Sequence, residues 1–365
     1  MDFSVRLYQS GDDEGIVQLL NEAFNGWPKF DLQCSPLDHW RWKYKDNPLK
    51  ITIISLAESN NKIIGCFHVL PQRLKIGDDL LLSANGVDTA THLDFRGMGV
   101  YNKFRPIVDP LELELGIKFH YGIETNPILL EKVKKNNWSP FPYSLENMVR
   151  IRDISLHLTK FPSEQDFIKK YGFYTLKLLN KFKKSMKVSG KSYQDFKISG
   201  INRFDGRIDA FWDQVKEQYK FIVARDRDYL NWRYCDPRGG NYRVKIAEAQ
   251  NQILGYIVLR INKYNLEYPV GYIVDLLTLP GHINVAGELA VDAINYFDRN
   301  NINKVQLNVL KTSSYESMFQ RMGFINNPIK PYLLYSPKFR NNTIDGLYKC
   351  DVNNVHFVYG DYDYI

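Results

Sequence analysis

No stretch of this 365-residue chain approaches the roughly 18 consecutive apolar residues that a membrane span needs. Its opening, MDFSVRLYQSGDDEG, lacks the basic-then-apolar order of a signal peptide, so a cytoplasmic location is expected. Cysteine is scarce as well. Cys34, Cys66, Cys235 and Cys350 lie far apart, with no CxxC and no histidine at zinc spacing. They read as buried free thiols, and no metal site is expected. Charge of one sign is also in short supply, since 48 basic against 41 acidic residues leave only +7. That balance permits an anionic ligand without requiring nucleic acid, and no specific nucleic-acid partner is expected. The excess is concentrated: residues 160–197 hold ten lysines against Glu164, Asp166 and Asp195, and 10 − 3 accounts for all seven charges. This run reads as a solvated connector, with peripheral contact to a membrane or polyanion as the competing use. What the chain has in abundance is aromatic residues, 24 Tyr and 21 Phe among them, enough for large cores or aromatic-lined clefts.

The chain repeats itself. HWRWKYKDNP at 39–48 has a counterpart in YLNWRYCDP at 229–237, and each precedes a strand, a turn and a second strand. Trp42 matches Trp232, Ala57-Glu58 matches Ala247-Glu248 and Gly65 matches Gly255, all at an offset of 190. The SNN and QNQ triplets between apolar, β-branched runs predict hairpin turns. DEGIVQLLNEAF and IDAFWDQVKEQY carry helical periodicity ahead of the hairpins. An α/β protein of two tandem domains follows, each a mixed, mostly antiparallel sheet flanked by helices. The expected division is 1–150, a helical and basic connector at 151–200, and 201–365. Within the connector, Phe167, Tyr171, Tyr174 and Leu178 fall on one face of a predicted amphipathic helix.

After the third strand the halves diverge. The first carries VDTATHLDFRGMGVYNKF at 87–104, where Gly97 and Gly99 bracket Met98 behind Arg96. Two glycines at that spacing, at a strand end and ahead of a helix-compatible run, let several backbone N–H groups converge on an anion such as phosphate, although many Gly-x-Gly turns merely reverse the chain. The second half has PGHINVAG instead, without the arginine or the tight glycine pair.

That segment resembles the acetyl-CoA motif of the GNAT acyltransferases, a strand followed by Arg/Gln-x-x-Gly-x-Gly/Ala opening a helix, here in the variant Arg-Gly-x-Gly. NVLKTSSYESMFQRMGF at 308–324 is similar to a later helix of the family. Most of the chain is covered, as two copies, and the wording DTATHLDFRG is nearest to the enhanced-intracellular-survival-type acetyltransferases. The resemblance implies acetyl-CoA as co-substrate and a small-molecule or peptide amine as acceptor. It implies that Thr89, Ala90 and Thr91 pair with the pantetheine arm, and that Arg96, Gly97, Met98, Gly99, Val100 and Tyr101 hold the pyrophosphate. Asn126 would face the cofactor across a splay between strands. The sequence departs from the family at Pro106 and Pro110, which shorten or kink the helix after the motif. It departs again at Val133 and Phe319, which stand where relatives carry a tyrosine acid.

Acyl transfer to an amine needs a neutral nucleophile, a stabilised oxyanion and a proton for the departing thiolate. Asp88 and Glu124 are the carboxylates expected near the site, and Tyr121 is a candidate proton donor. The acidic end, FVYGDYDYI, offers the terminal carboxylate of Ile365, which in some tandem relatives serves as base. Trp27, Trp40, Trp42 and Tyr44 are candidates for a cleft wall or, for Trp42 with Trp232, for packing between equivalent positions. A Fem-type or lipid-linked acyl or aminoacyl transferase and a non-catalytic acyl-CoA-binding scaffold are the alternative readings. The acceptor and the oligomeric state stay open.

Overall fold

The structure, a computed structural model, describes residues 2–125, 130–131, 138–164, 196–336 and 346–362. The connector helix expected around Phe167–Leu178 lies outside these residues, as do Asn126, Val133 and Ile365.

The first half runs β1 (Ser4–Leu7), α1 (Asp13–Phe24), α2 (Pro36–Tyr44), β2 (Ile53–Ser59), β3 (Lys62–Ile76), β4 (Asp79–Thr91), α3 (Arg105–Glu114) and β5 (Phe119–Glu124), followed by the short β6 (Ser139–Pro140) and β7 (Leu145–Ile151). The second half repeats the plan with β8 (Lys197–Ile201), α4 (Arg207–Gln218), β9 (Phe221–Val223), β10 (Tyr242–Ala249), β11 (Gln252–Asn262), β12 (Val270–Thr278), α5 (Ile283–Arg299), β13 (Lys304–Leu310), α6 (Ser314–Arg321), β14 (Ile325–Asn326) and β15 (Tyr332–Tyr335). Sequence periodicity placed the first helix on its observed span because Ile16, Leu19 and Leu20 form its buried stripe.

The repeat is visible rung by rung. Both hairpins turn on two left-handed residues, Asn60-Asn61 and Gln250-Asn251, the geometry that matches the twist of paired strands. Both carry a β-bulge at the same place, between Ala57 and Glu58 and between Ala247 and Glu248. Trp42 and Trp232 meet between the halves, stacked with centroids 4.9 Å apart. Each indole N–H donates to the other's backbone carbonyl at 3.0 Å, the reciprocal pattern expected about a local two-fold axis. These two indoles pack the junction, Trp42 buried and Trp232 half-buried; Trp40 and Tyr44 are buried as well, so Trp40, Trp42 and Tyr44 are unavailable as an open cleft wall.

The sheets do not divide at residue 150. The first has the order β1-β2-β3-β4-β5-β15-β6, with β9 also paired to β3, and the second β14-β7-β13-β12-β11-β10-β8. Strand β7, at the end of the first half, lies antiparallel to β13, whereas β15 from the second half lies antiparallel to β5. Each half therefore completes the other's sheet. Alternating apolar residues fix which face a strand buries, and Leu145–Ile151 is buried throughout, but that pattern is satisfied in either sheet.

No helix among the described residues is long and apolar enough to cross a membrane, and none of their His, Cys, Asp and Glu side chains form a group that could hold a metal. All four cysteines are free, Cys66 buried and the others half-buried.

Candidate acyl-donor site

In the first sheet β4 and β5 run parallel but pair over only three rungs, Ser83 with Phe119, Ala84 with His120 and Asn85 with Tyr121. Beyond Asn85, β4 keeps its partner β3 through Gly65 and Thr91, while β15 occupies the far side of β5. The two strands thus open into a V between Gly86–Thr91 and Gly122–Glu124. Asp88 and Glu124 each stand three residues past the last rung, so the two sequence-predicted carboxylates flank the opening.

The loop above β4 supplies donors. Gly97 and Gly99 have φ of 81° and 75°, the left-handed region that other residues enter at a cost, and a Cβ on either would meet nothing within 4 Å. The glycines serve backbone shape here rather than close packing. The N–H groups of Gly97, Gly99, Val100 and Tyr101 find no acceptor among the described residues, whereas those of Asn102, Lys103 and Phe104 close a 3₁₀ turn onto Gly99, Val100 and Tyr101. Met98 and Tyr101 are exposed, and Val100 is buried against the sheet, where a Cβ at Gly65 would come within 2.9 Å of it. Arg96 is exposed, its guanidinium 3.3 Å from the carbonyls of Thr91 and Ala23. As expected from the prolines, the helix that follows is short: Pro106 sits in its first turn and Pro110 inside it.

Asp88 has φ of 43° at an irregularity between β3 and β4. Its carboxylate accepts from Trp27 Nε1 at 2.8 Å, Lys43 Nζ at 2.6 Å and Tyr44 Oη at 2.5 Å. Its carbonyl takes a bond from His68 Nδ1 at 3.1 Å, because His68 Nε2 is occupied as the acceptor for Trp40. Burial pushes the Asp88 carboxyl up, but Lys43, His68 and the Tyr44 hydroxyl outweigh it and leave the group at about 2. His68 is driven the other way, to about 4, chiefly by burial, and stays neutral. A carboxylate holding three donors is poorly suited to taking a proton from an amine; it fixes the bulge and neutralises buried Lys43.

Tyr121 lies under the opening instead of facing it. It is fully buried, donates to the Asp361 carbonyl at 2.8 Å and is hydrogen-bonded to Gln72, with Phe357 edge-on at 5.7 Å. Burial raises its hydroxyl well above the ordinary tyrosine range. It sits at the last rung shared by β4 and β5, its hydroxyl committed to Gln72 and the Asp361 carbonyl. Glu124 is half-buried at the end of β5 and accepts from the Thr125 N–H at 2.9 Å. Thr89 and Thr91 are half-buried and Ala90 buried along the open edge.

Sequence reasoning missed one feature that the repeat contained. Tyr44 and Tyr234 are matched at the offset of 190, and Tyr234 Oη donates to Asp275 at 3.0 Å as Tyr44 Oη does to Asp88. The words KYKD and RYCD, with a Val-Asp pair in each third strand, were its signal.

Residues 4–105 match the model of the acetyltransferase (GNAT) domain. No curated protein matches the chain by sequence. Among solved structures, a probable N-acyltransferase from Enterococcus faecalis superposes with a TM-score of 0.60 at 11% identity, covering 92% of this chain and 72% of that one. A GCN5-related N-acetyltransferase from Anabaena variabilis gives 0.61 at 10%, over 91% and 72%. Saccharomyces cerevisiae N-myristoyltransferase, solved with bound myristoyl-CoA and inhibitors, gives 0.59 at 10%, over 92% and 80%. At such identities the likeness establishes the fold alone: residues 4–105 match the acetyltransferase (GNAT) domain model, and the chain as a whole shares the two-sheet α/β architecture of these solved acyltransferases.

Proposed function

We propose that the V between β4 and β5 receives an acyl-CoA and that the chain transfers a short acyl group, acetyl or one of similar size, to an amine by direct attack in a ternary complex. The observation that carries this reading is a run of four backbone amides, at Gly97, Gly99, Val100 and Tyr101, that find no acceptor among the described residues in the loop after a parallel strand pair that parts beyond three rungs. Converging N–H groups suit a diphosphate, and the open edge of β4 suits an extended pantetheine arm.

The chain's own contribution is mostly placement. Holding thioester and amine in line removes much of the entropic barrier to the bimolecular step. The nitrogen lone pair adds to the thioester carbonyl, the C–S bond breaks, and the thiolate leaves with a proton. Of the two flanking carboxylates, Glu124 is the one assigned to receive the amine proton, since Asp88 is committed to Lys43, Tyr44 and Trp27. A short acyl group follows from the floor: Tyr121, Gln72 and the Asp361 carbonyl form a bonded layer with Phe357 behind it, so a long chain entering the V would have to break buried hydrogen bonds.

Calorimetry with CoA, acetyl-CoA and myristoyl-CoA, joined to thiol release with a panel of amines, tests this. Acetyl-CoA is expected to bind and to release thiol with at least one amine, and Arg96→Ala to weaken binding by about 1–3 kcal/mol through one lost charge-assisted contact. Affinity unchanged in the variant would remove the site, and binding without thiol release for any amine would remove the transfer.

A further inference from the structure

The parallel strands β4 and β5 part at two glycines. Asn85 and Tyr121 form their last rung, so Gly86 and Gly122 are the first residues past it. Side chains alternate along a strand, and Gly122 therefore lies on the face opposite Tyr121, the face it shares with Glu124 two residues, or roughly 7 Å, further on. On β4 the same face belongs to Ala84 and Gly86. Ala84 packs there in one cluster with Phe67, Phe104 and Val108, the last of them on α3.

The two glycines have different reasons. A Cβ at Gly86 would lie 3.1 Å from the Phe67 ring, so that ring, laid against the backbone, leaves little room for a side chain. Phe67 meets Tyr101 edge-on with centroids 6.1 Å apart, which runs one apolar wall from the glycine loop to the fork. At Gly122 no neighbour makes such a demand. A Cβ would meet Trp138 at 3.5 Å, an ordinary contact, and nothing else within 4 Å among the described residues. Its φ is not in the left-handed region. Other glycines inside strands are explained by their surroundings: Gly65, Gly255 and Gly271 each have a neighbour within 2.9 Å of where a Cβ would stand, and Gly200 lies on β8, at the rim of its sheet. Glycine inside a strand weakens it, so one that neither packing nor backbone conformation explains marks a place where something approaches the backbone closely. Gly86 is exposed and Gly122 half-buried, so the notch between them is not sealed.

We propose that this notch seats the acyl group of the donor and that Gly122 sets the size of the group the chain can transfer. The proposal rests on the V holding acyl-CoA. A pantetheine arm laid along the open edge of β4 brings its thioester towards the rung where the strands meet, about 4.8 Å apart. The acyl group has no space between the strands there. It turns onto the face that the glycines leave bare, against Phe67 and Trp138, because the bonded Tyr121 and Gln72 close the other face. Glu124 stands on that same bare face two residues further out, which places the carboxylate assigned to the amine proton beside the group being transferred. Each methylene added to the acyl chain, and each carbon added at 122, draws on the same space.

Titration calorimetry of the full chain with CoA and with acetyl-CoA, on wild type, Gly122→Ala and Gly122→Val, reads the notch without using turnover, since the two ligands differ only in the acyl group. Gly122→Ala is expected to keep the wild-type melting temperature or exceed it, because its methyl group meets Trp138 at an ordinary distance. CoA affinity should stay within about threefold of wild type in both variants, whereas the ratio of acetyl-CoA to CoA affinity should fall about three- to tenfold in Gly122→Ala and more than about tenfold in Gly122→Val. Butyryl-CoA should lose more than acetyl-CoA in each. If Gly122→Val fails to fold, Gly122→Ala decides. An unchanged ratio, an equal loss for both ligands, or a clearly lower melting temperature in Gly122→Ala would overturn the proposal, the last because packing would then account for the glycine. A wild type that binds neither CoA nor acetyl-CoA would instead remove the donor site itself, and the notch with it.

Discussion

Asp88→Ala is expected to destabilise the chain by about 3–5 kcal/mol, because Trp27 Nε1, Lys43 Nζ and Tyr44 Oη would together lose the carboxylate they share, around a Lys43 side chain only 3% exposed. A calorimetric melting point lower by about 4–7 °C is the corresponding readout for a chain of this length. Asp88→Asn should cost less, since asparagine tolerates the φ of 43° and can still accept from Trp27 and Tyr44. The pH dependence has a definite sign. Asp88 is held below the usual carboxylate range, so its contribution is present above pH ~4 and is lost as pH falls towards 2. The gap between Asp88→Ala and wild type should therefore narrow on strong acidification. A gap that widens there would show that an ionised carboxylate is not what Asp88 supplies.

Gly99→Val is expected to lower CoA affinity by at least tenfold. A branched side chain at φ 75° is strained, and the loop's relief from that strain reorients the amides of Gly99 and Val100, two of the four proposed to hold the diphosphate. Gly281→Val provides the control. Gly281 has φ of 78° in the loop after the third strand of the second half and is equally open around its Cβ, so the backbone cost is alike, yet no CoA affinity should be lost. Calorimetry on both variants separates a phosphate-holding loop from a general need for a turn. Equal loss in both would mean the latter.

Much of the fold was legible because duplication prints local structure twice. The offset of 190 aligned the bulges, the left-handed turn pairs and the two indoles before any coordinates, since each depends on residues close in sequence. The exchange of β7 and β15 was not legible, because a buried strand's pattern names a face and not a sheet. For the site, the glycine loop was readable from Arg96 to Tyr101, where backbone conformation follows residue type. The side chains were harder. Asp88 and Tyr121 are chemically competent residues in the right neighbourhood, but whether each faces solvent or Lys43, Gln72 and a remote carbonyl depends on contacts from 44 to 240 residues away: Tyr44 lies 44 from Asp88, and Asp361 lies 240 from Tyr121. The terminal segment shows the same limit, since nothing local in VHFVYGDY marks it as packing against Tyr121 of a distant strand.

The central claim is that only the first half's opening holds the acyl donor. Hydrogen exchange of the whole chain with and without saturating CoA tests it most directly. Slowed exchange over 86–101 with no change over 273–285 is the predicted result. Slowing confined to 273–285, or none in either segment at saturation, would contradict it.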